Sequence, residues 1–230
     1  MGYSVNTLVS IAITVALVMF SAIVHEVAHG WAALRCGDTT ARDAGRLTLD
    51  PRAHLDGFGS ILLPLVMALL GGPVFAFARP VPYNPNRLRH PRTDEVLVAL
   101  AGPASNLLQA ALGALVLHLA WDPLAAALAT GAVSYQVAGW ILTILSTYVS
   151  VNLVLCFFNL VPLPPLDGSK VVLFFLSGKA RAAYYRLQQY AMPILIVVLY
   201  VLPSLLGFDP LGIYLDWTAG TLYDLLLLGV

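Results

Sequence analysis

The sequence predicts an all-α integral membrane protein, a polytopic bundle of about four to six membrane segments with a re-entrant hairpin and a short β-hairpin beside its functional site. Composition carries the fold class. Of 230 residues, 59% are hydrophobic and 10% are charged, with a mean hydropathy of +0.83. A soluble domain carries about 25% charged residues. A chain this poor in charge cannot coat a water-facing surface, which excludes a soluble globular fold. Arrangement adds to composition, because the charges gather in a few polar stretches between long apolar runs. The 12 Lys and Arg balance the 12 Asp and Glu, and no basic run interleaves with aromatics, so nucleic acid is not an expected partner. Cys36 and Cys156 show no close spacing, so neither a disulfide framework nor a Cys-based zinc knuckle is indicated.

The first span is expected over about residues 5–34. Residues 5–24 hold no charge and the apolar character runs to Leu34, enough to cross a hydrocarbon core of about 30 Å. No Lys or Arg precedes Arg35, so the basic start of a cleaved signal peptide is missing and the helix is read as retained. Residues 35–57 are polar, and 39–49, partly alternating and broken by Gly45, reads as a short β-hairpin. Residues 58–78 are apolar but contain Pro64 and the breaker Gly71-Gly72-Pro73. Residues 79–95 are basic and Pro-rich; 96–120 and 135–160 are further spans, joined by a linker at 121–134. A polar stretch over 161–190 leads to a last, short span at 191–206 and a tail at 207–230. No repeat or low-complexity segment interrupts the chain, so residues 1–230 read as one membrane-embedded domain. Trp121, Trp140 and Trp217 read as interfacial anchors.

Basic residues set the topology, since Lys and Arg collect in short cytoplasmic loops. All 12 fall within 35–52, 79–92 and 170–186. If 58–78 crosses the membrane, the first two stretches lie on opposite faces. If it enters and leaves by one side, turning at Gly-Gly-Pro, all 12 are cytoplasmic. Non-helical backbone at membrane depth must be buried in protein or line a wet cavity, so the re-entrant course also points to an internal site.

That site is suggested by His25-Glu26-Val27-Ala28-His29 near the end of the first helix. Histidines four apart project from one helix face, so both imidazoles can reach one metal. Glu26 stands beside such a metal rather than on it, placed to take a proton from an activated water and pass it to a leaving amine. Ionisable residues are costly within a membrane helix and mark function there. A zinc site needs a third protein ligand and an open position. Asp167 is the candidate: Pro162, Pro164 and Pro165 end helical geometry after Asn159, an extended segment presents the carboxylate, and Gly168 permits a turn. His25, His29 and Asp167 meet only if 96–120 and 135–160 go out and return on the side of residue 35, which again requires that 58–78 not cross.

The chain resembles the site-2 proteases, intramembrane zinc metalloproteases, in a compact bacterial or archaeal form without PDZ or nucleotide-sensing domains. The resemblance rests on His25-Glu26-Val27-Ala28-His29-Gly30, Asp50-Pro51-Arg52-Ala53-His54-Leu55-Asp56, Arg79-Pro80-Val81-Pro82-Tyr83-Asn84-Pro85, Ala101-Gly102-Pro103-Ala104-Ser105-Asn106 and the 159–168 segment. It implies one zinc ion held by His25, His29 and Asp167, with Glu26 as catalytic acid/base. It also implies that Asn159 or Asn106, or both, hydrogen-bond substrate or the developing oxyanion. Asp50 departs from the family's Asn at that position. His54 has two readings, a group at the active-site mouth or a solvated loop histidine. Asn152, on the helix face of Asn159, reads as an inter-helix hydrogen-bonding residue.

The expected activity is zinc-dependent endoproteolysis within or near a transmembrane segment of a membrane-anchored substrate, in the lipid bilayer, with no nucleotide. The expected place is a prokaryotic cell membrane with the site toward the cytoplasm. An extended strand from 39–49 would pair with the unwound substrate. The alternative is a membrane metal-ion transporter using the same His/Asp cluster transiently, which needs no general base.

Overall fold

The computed structural model describes residues 5–55 and 79–229. The expected re-entrant or spanning segment at 58–78 lies outside the described residues. What they show is all-helical, with no strand. Three helices build the bundle: α1 (Val5–Arg35), α4 (Pro91–Ala129) and α5 (Tyr135–Leu160). Among the described residues between α1 and α4 lie two single α-helical turns, α2 (Thr40–Asp43) and α3 (Pro51–His54), and a 3-10 turn at Pro85–Arg87. After α5 come α6 (Gly168–Phe175), α7 (Gly178–Gln188) and α8 (Ala191–Leu206). Helical segments Pro210–Leu215 and Thr221–Leu226, joined by a π turn, pack back on α5.

The spans expected at 5–34, 96–120 and 135–160 fall on α1, α4 and α5, each long and apolar enough to cross a membrane. The segment at 191–206 is helical, but a π turn at Val197–Val201 interrupts it and it bends by 78° from α7. The described residues thus hold three candidate spans, or four if that bent pair is one. The linker expected at 121–134 is shorter than its composition suggested. The alanine-rich 124–129 continues α4 past Pro123, since alanine's helix propensity offsets one missing N–H. Only 130–134 turns, with Gly131 at φ +72° and Ser134 capping Val137 N.

The β-hairpin expected at 39–49 is not formed. Asp38 accepts hydrogen bonds from Thr40 N and Thr40 Oγ1, and Thr39 Oγ1 donates to Asp43. These local bonds close a helical turn, which Gly45 ends at φ +64°. Partial alternation was overridden by side chains that bond their own backbone.

The bundle is inside-out relative to a soluble one. On α4, Leu107, Leu108, Leu112, Leu115 and Leu119 are exposed, while Asn106, Gln109, Ala110, Gly113 and Ala114 face inward. Small residues let backbones approach without a hydrophobic drive between helices. A Cβ on Gly113 would meet Tyr148 Cδ1 at 2.9 Å, so α5 packs on α4 at a distance only glycine allows. The family of contacts α1–α4, α1–α5 and α4–α5 encloses the polar residues described next.

Candidate metal centre

The α1 helix carries His25 and His29 one turn apart, with ring centroids 4.6 Å apart and planes edge-on. Their Nε2 atoms are 3.0 Å from each other. Asp167 Oδ2 lies 3.1 Å from His25 Nε2 and 3.3 Å from His29 Nε2. A tetrahedral ion with bonds of about 2.0–2.1 Å separates its ligand atoms by about 3.3 Å.

Hydrogen-bond logic decides what this triangle is for. Asn152 Nδ2 donates to the Tyr148 carbonyl and to Ser21 Oγ, which fixes its amide orientation. Its Oδ1 therefore accepts from Asn106 Nδ2 at 2.8 Å, leaving Asn106 Oδ1 facing His25 Nδ1 at 2.6 Å. An amide oxygen can only accept, so His25 Nδ1 bears the proton. His29 Nδ1 faces the Val98 carbonyl at 2.7 Å and must bear its proton there too. In neutral rings both Nε2 atoms are then bare lone pairs, aimed at each other and at a carboxylate oxygen that is buried with no hydrogen donor among the described residues. With both rings neutral, three acceptors converge on one point. A cation satisfies that arrangement, and neutral imidazoles held by a backbone carbonyl and an amide are the usual support of a zinc site.

Gly102 of α4 covers the triangle. A Cβ there would overlap His29 Nε2 and His25 Nε2, so only glycine lets α4 pass over the ligand atoms. Asp167 arrives by turns rather than by the extended segment expected. Leu163 N bonds Val161 O, Leu166 N bonds Leu163 O, and Asp167 itself is helical at the start of α6. Gly168 is required by close approach, since a Cβ would overlap the Leu160 carbonyl, and not by its φ.

Glu26, half-buried on α1, accepts a hydrogen bond at Oε2 from Val81 N at 2.8 Å. Thus His25, His29 and Asp167 are brought together, with Glu26 adjoining His25 in sequence. The other expected site residues are placed differently. Asn106 is buried and committed to His25 and Asn152. Asn159 Nδ2 donates to Leu155 O on its own helix. His54 is fully buried, with Nε2 on Thr48 O and Nδ1 without a partner among the described residues. Sequence reasoning passed over Val98, Ser21 and the Val81 amide, which act through main-chain groups or a small hydroxyl that no motif marks. Asn152 carried a readable signal, an amide inside an apolar helix, and it does bond between helices.

Two histidines and an aspartate converging inside a bundle of apolar helices define a candidate metal site in a membrane protein. The Peptidase family M50 model matches residues 13–202, and the chain belongs to that family, the site-2 proteases. It is 39% identical over 196 residues to "Putative zinc metalloprotease YwhC" of Bacillus subtilis, covering 84% of this chain and 78% of that one. It is 30% identical over 190 residues to "Putative zinc metalloprotease Rip2" of Mycobacterium tuberculosis, covering 83% of this chain and 67% of that one. No solved structure matches. The apolar helices and the family together make it a multi-pass membrane protein.

Proposed function

We propose that this chain is a single-domain zinc endopeptidase that cleaves a membrane-anchored protein within or beside its transmembrane segment. The observation that carries the reading is the convergence of His25 Nε2, His29 Nε2 and Asp167 Oδ2 within 4.8 Å of one another, with both Nδ1 atoms already committed to Asn106 and the Val98 carbonyl. The relatives' names support zinc as the ion, one per chain, and the three ligands leave a position open for water. When bound, zinc would supply Lewis acidity, lowering the pKa of its water to about 7 and polarising a carbonyl.

The chain's own residues do the rest. Glu26 takes one proton from the attacking water as the new carbon–oxygen bond forms. It returns that proton to the amide nitrogen as the carbon–nitrogen bond breaks, so a carboxylic acid and an amine leave. Asn106 and Val98 hold the imidazole orientations throughout. A substrate helix conceals its peptide bonds in its own hydrogen-bond ladder and must unwind locally to reach Glu26. Residues 39–49 hold a helical turn at Thr40–Asp43 followed by turns and bends, with no strand, so strand addition from this segment is not part of the reading. Asn159 is the remaining expected residue suited to a polar contact with substrate.

The 12 basic residues favour a cytoplasmic site in a prokaryotic cell membrane, with lipid and a transmembrane substrate as partners and no nucleotide or nucleic acid. The test is purified protein with a helical reporter substrate bearing a fluorophore and quencher, alongside zinc analysis. Glu26→Gln is expected to keep zinc and lose turnover by at least about a hundredfold; Asp167→Ala is expected to lose both. If Glu26→Gln cleaves as well as wild type, or moves metal ions across vesicles undiminished, the proteolytic reading fails and transport takes its place.

A further inference from the structure

We propose that residues 79–83 form a fixed strap in which the Val81 N–H, the one main-chain donor of 80–82, positions the Glu26 carboxylate, with Arg46 as the clamp that holds the strap in place. The inference rests on the proteolytic reading for its functional part and on geometry alone for its structural part.

The sequence Arg79-Pro80-Val81-Pro82-Tyr83 is unusual in what it withholds. Pro80 and Pro82 have no N–H, so Val81 owns the sole main-chain donor of 80–82. That donor is spent on Glu26 Oε2, 55 residues away in sequence, at 2.8 Å. One carboxylate oxygen is thereby occupied, and the other is left to serve the reacting water. Glutamate has three rotatable side-chain bonds, and a hydrogen bond from outside its own helix selects one orientation among them.

Everything about the strap resists movement. Arg79 N donates to His54 O at 2.7 Å. The Arg46 guanidinium, buried at 9% exposure, donates through Nη2 to Arg79 O at 2.8 Å and Pro80 O at 3.4 Å. Asn84 N donates to Asp38 Oδ2 at 2.6 Å. The Val81 side chain is buried in a notch on α1, where a Cβ on Gly30 would come within 2.9 Å of Val81 Cγ1. Burial and the neighbouring Arg79 charge lower the Arg46 pKa, and the Glu26 carboxylate opposes them. The clamp and the acid/base thus attract each other across the strap. Val81 and Arg46 are positioning residues, since neither touches the reacting atoms.

Two measurements on the full-length protein in detergent test this. The first is amide hydrogen exchange, which reads Val81 alone within 80–82 because its neighbours have no amide. Glu26→Ala is expected to speed Val81 exchange at least tenfold; an unchanged rate overturns the proposal without reference to activity. The second is kinetic, with the fluorogenic helical reporter. Val81→Pro deletes the N–H between two prolines that already hold an extended backbone. It is expected to lower kcat about tenfold to a hundredfold, the range for a hydrogen bond to a charged group, with KM and zinc content unchanged. Val81→Ala keeps the amide and is expected to lose far less, and Arg46→Met is expected to lose kcat with Val81→Pro. If Val81→Pro loses zinc, an ester in place of the Pro80–Val81 amide, which removes only the N–H, decides by the same criterion. Wild-type kcat in either amide-deleted form overturns the proposal. Wild-type protein that holds zinc but hydrolyses no reporter overturns the proteolytic reading and the strap's functional part, whereas a cleaving wild type with indifferent Val81 variants overturns the strap alone.

Discussion

Asn106 sits between a ligand and the rest of the bundle, and its two hydrogen bonds work in series. Its Nδ2 is fixed by Asn152, its Oδ1 fixes the proton of His25, and the whole line is anchored at the Tyr148 carbonyl. Asn106→Leu removes the acceptor that holds the His25 tautomer, so zinc affinity is expected to fall about tenfold to a hundredfold, read by competition with a chromogenic chelator. Asn152→Ala leaves Asn106 in place but free to flip, and is expected to cost less. Equal affinity in Asn106→Leu and wild type would show that the amide is only packing. At this scale the His25–His29 pair and Glu26 could be read from the sequence, because helical periodicity puts i and i+4 on one face. The oriented protons could not. His25 and Asn106 are 81 residues apart, and Val98 contributes a carbonyl that every residue possesses.

At the scale of elements, α6 is the piece that delivers Asp167, and α4 holds it. Arg92 donates to Phe174 O at 2.6 and 3.1 Å and lies 5.5 Å over the Phe174 ring. Lys170 Nζ is 3.7 Å from the buried Glu95 carboxylate, and Arg181 reaches both Glu95 and Leu173 O. Glu95→Gln removes the charge that gathers Lys170 and Arg181, so α6 loosens. Zinc affinity is expected to drop about tenfold, in the range found for groups supporting metal ligands, with α1 unaffected by hydrogen exchange. Asp38 does the same work at the other end, tying the loop that follows α1 to Asn84. Burial pushes its carboxyl up, but hydrogen bonds from Thr40 and the Asn84 amide prevail and hold it below the usual carboxylate range. A folded pKa below the unfolded value of about 3.9 means that the stabilisation is present above pH 4 and is lost as pH falls through the folded value. Asp38→Asn is therefore expected to be less stable than wild type at pH 7, by about 1–3 kcal/mol, with the gap narrowing as pH falls through the folded value. A gap independent of pH would assign the effect to shape instead. The 39–49 segment shows why element type was misread there: its pattern was weak, and Asp38 and Thr39 bonded locally before any strand partner could compete.

For the whole molecule, outward leucines and inward amides mark the surface suited to lipid, and the basic loops underlie the proposed orientation. α1 ends, α4 begins and α6–α7 lie on the end that carries the metal centre, while the α4–α5 turn lies at the other. Cysteines introduced at exposed Tyr135 and exposed Lys179 are expected to react with a membrane-impermeant maleimide from opposite sides of intact cells and inverted vesicles. Tyr135→Cys is expected to label from outside and Lys179→Cys from inside. Labelling of both from one side, or in the reverse sense, would overturn the proposed orientation.

The membrane class, three of the helical spans and the one-faced His25–His29 pair followed from sequence, because hydropathy and helical spacing are local properties that neighbouring residues determine. The tertiary structure decided the rest. It alone shows that Gly102 makes room for the ligand atoms, that three polar side chains and two carbonyls commit both Nδ1 atoms and turn both Nε2 atoms toward Asp167, and that the Val81 amide rests on Glu26. Each of these is a contact between residues far apart in the chain, and such contacts depend on how helices dock, which no local pattern records.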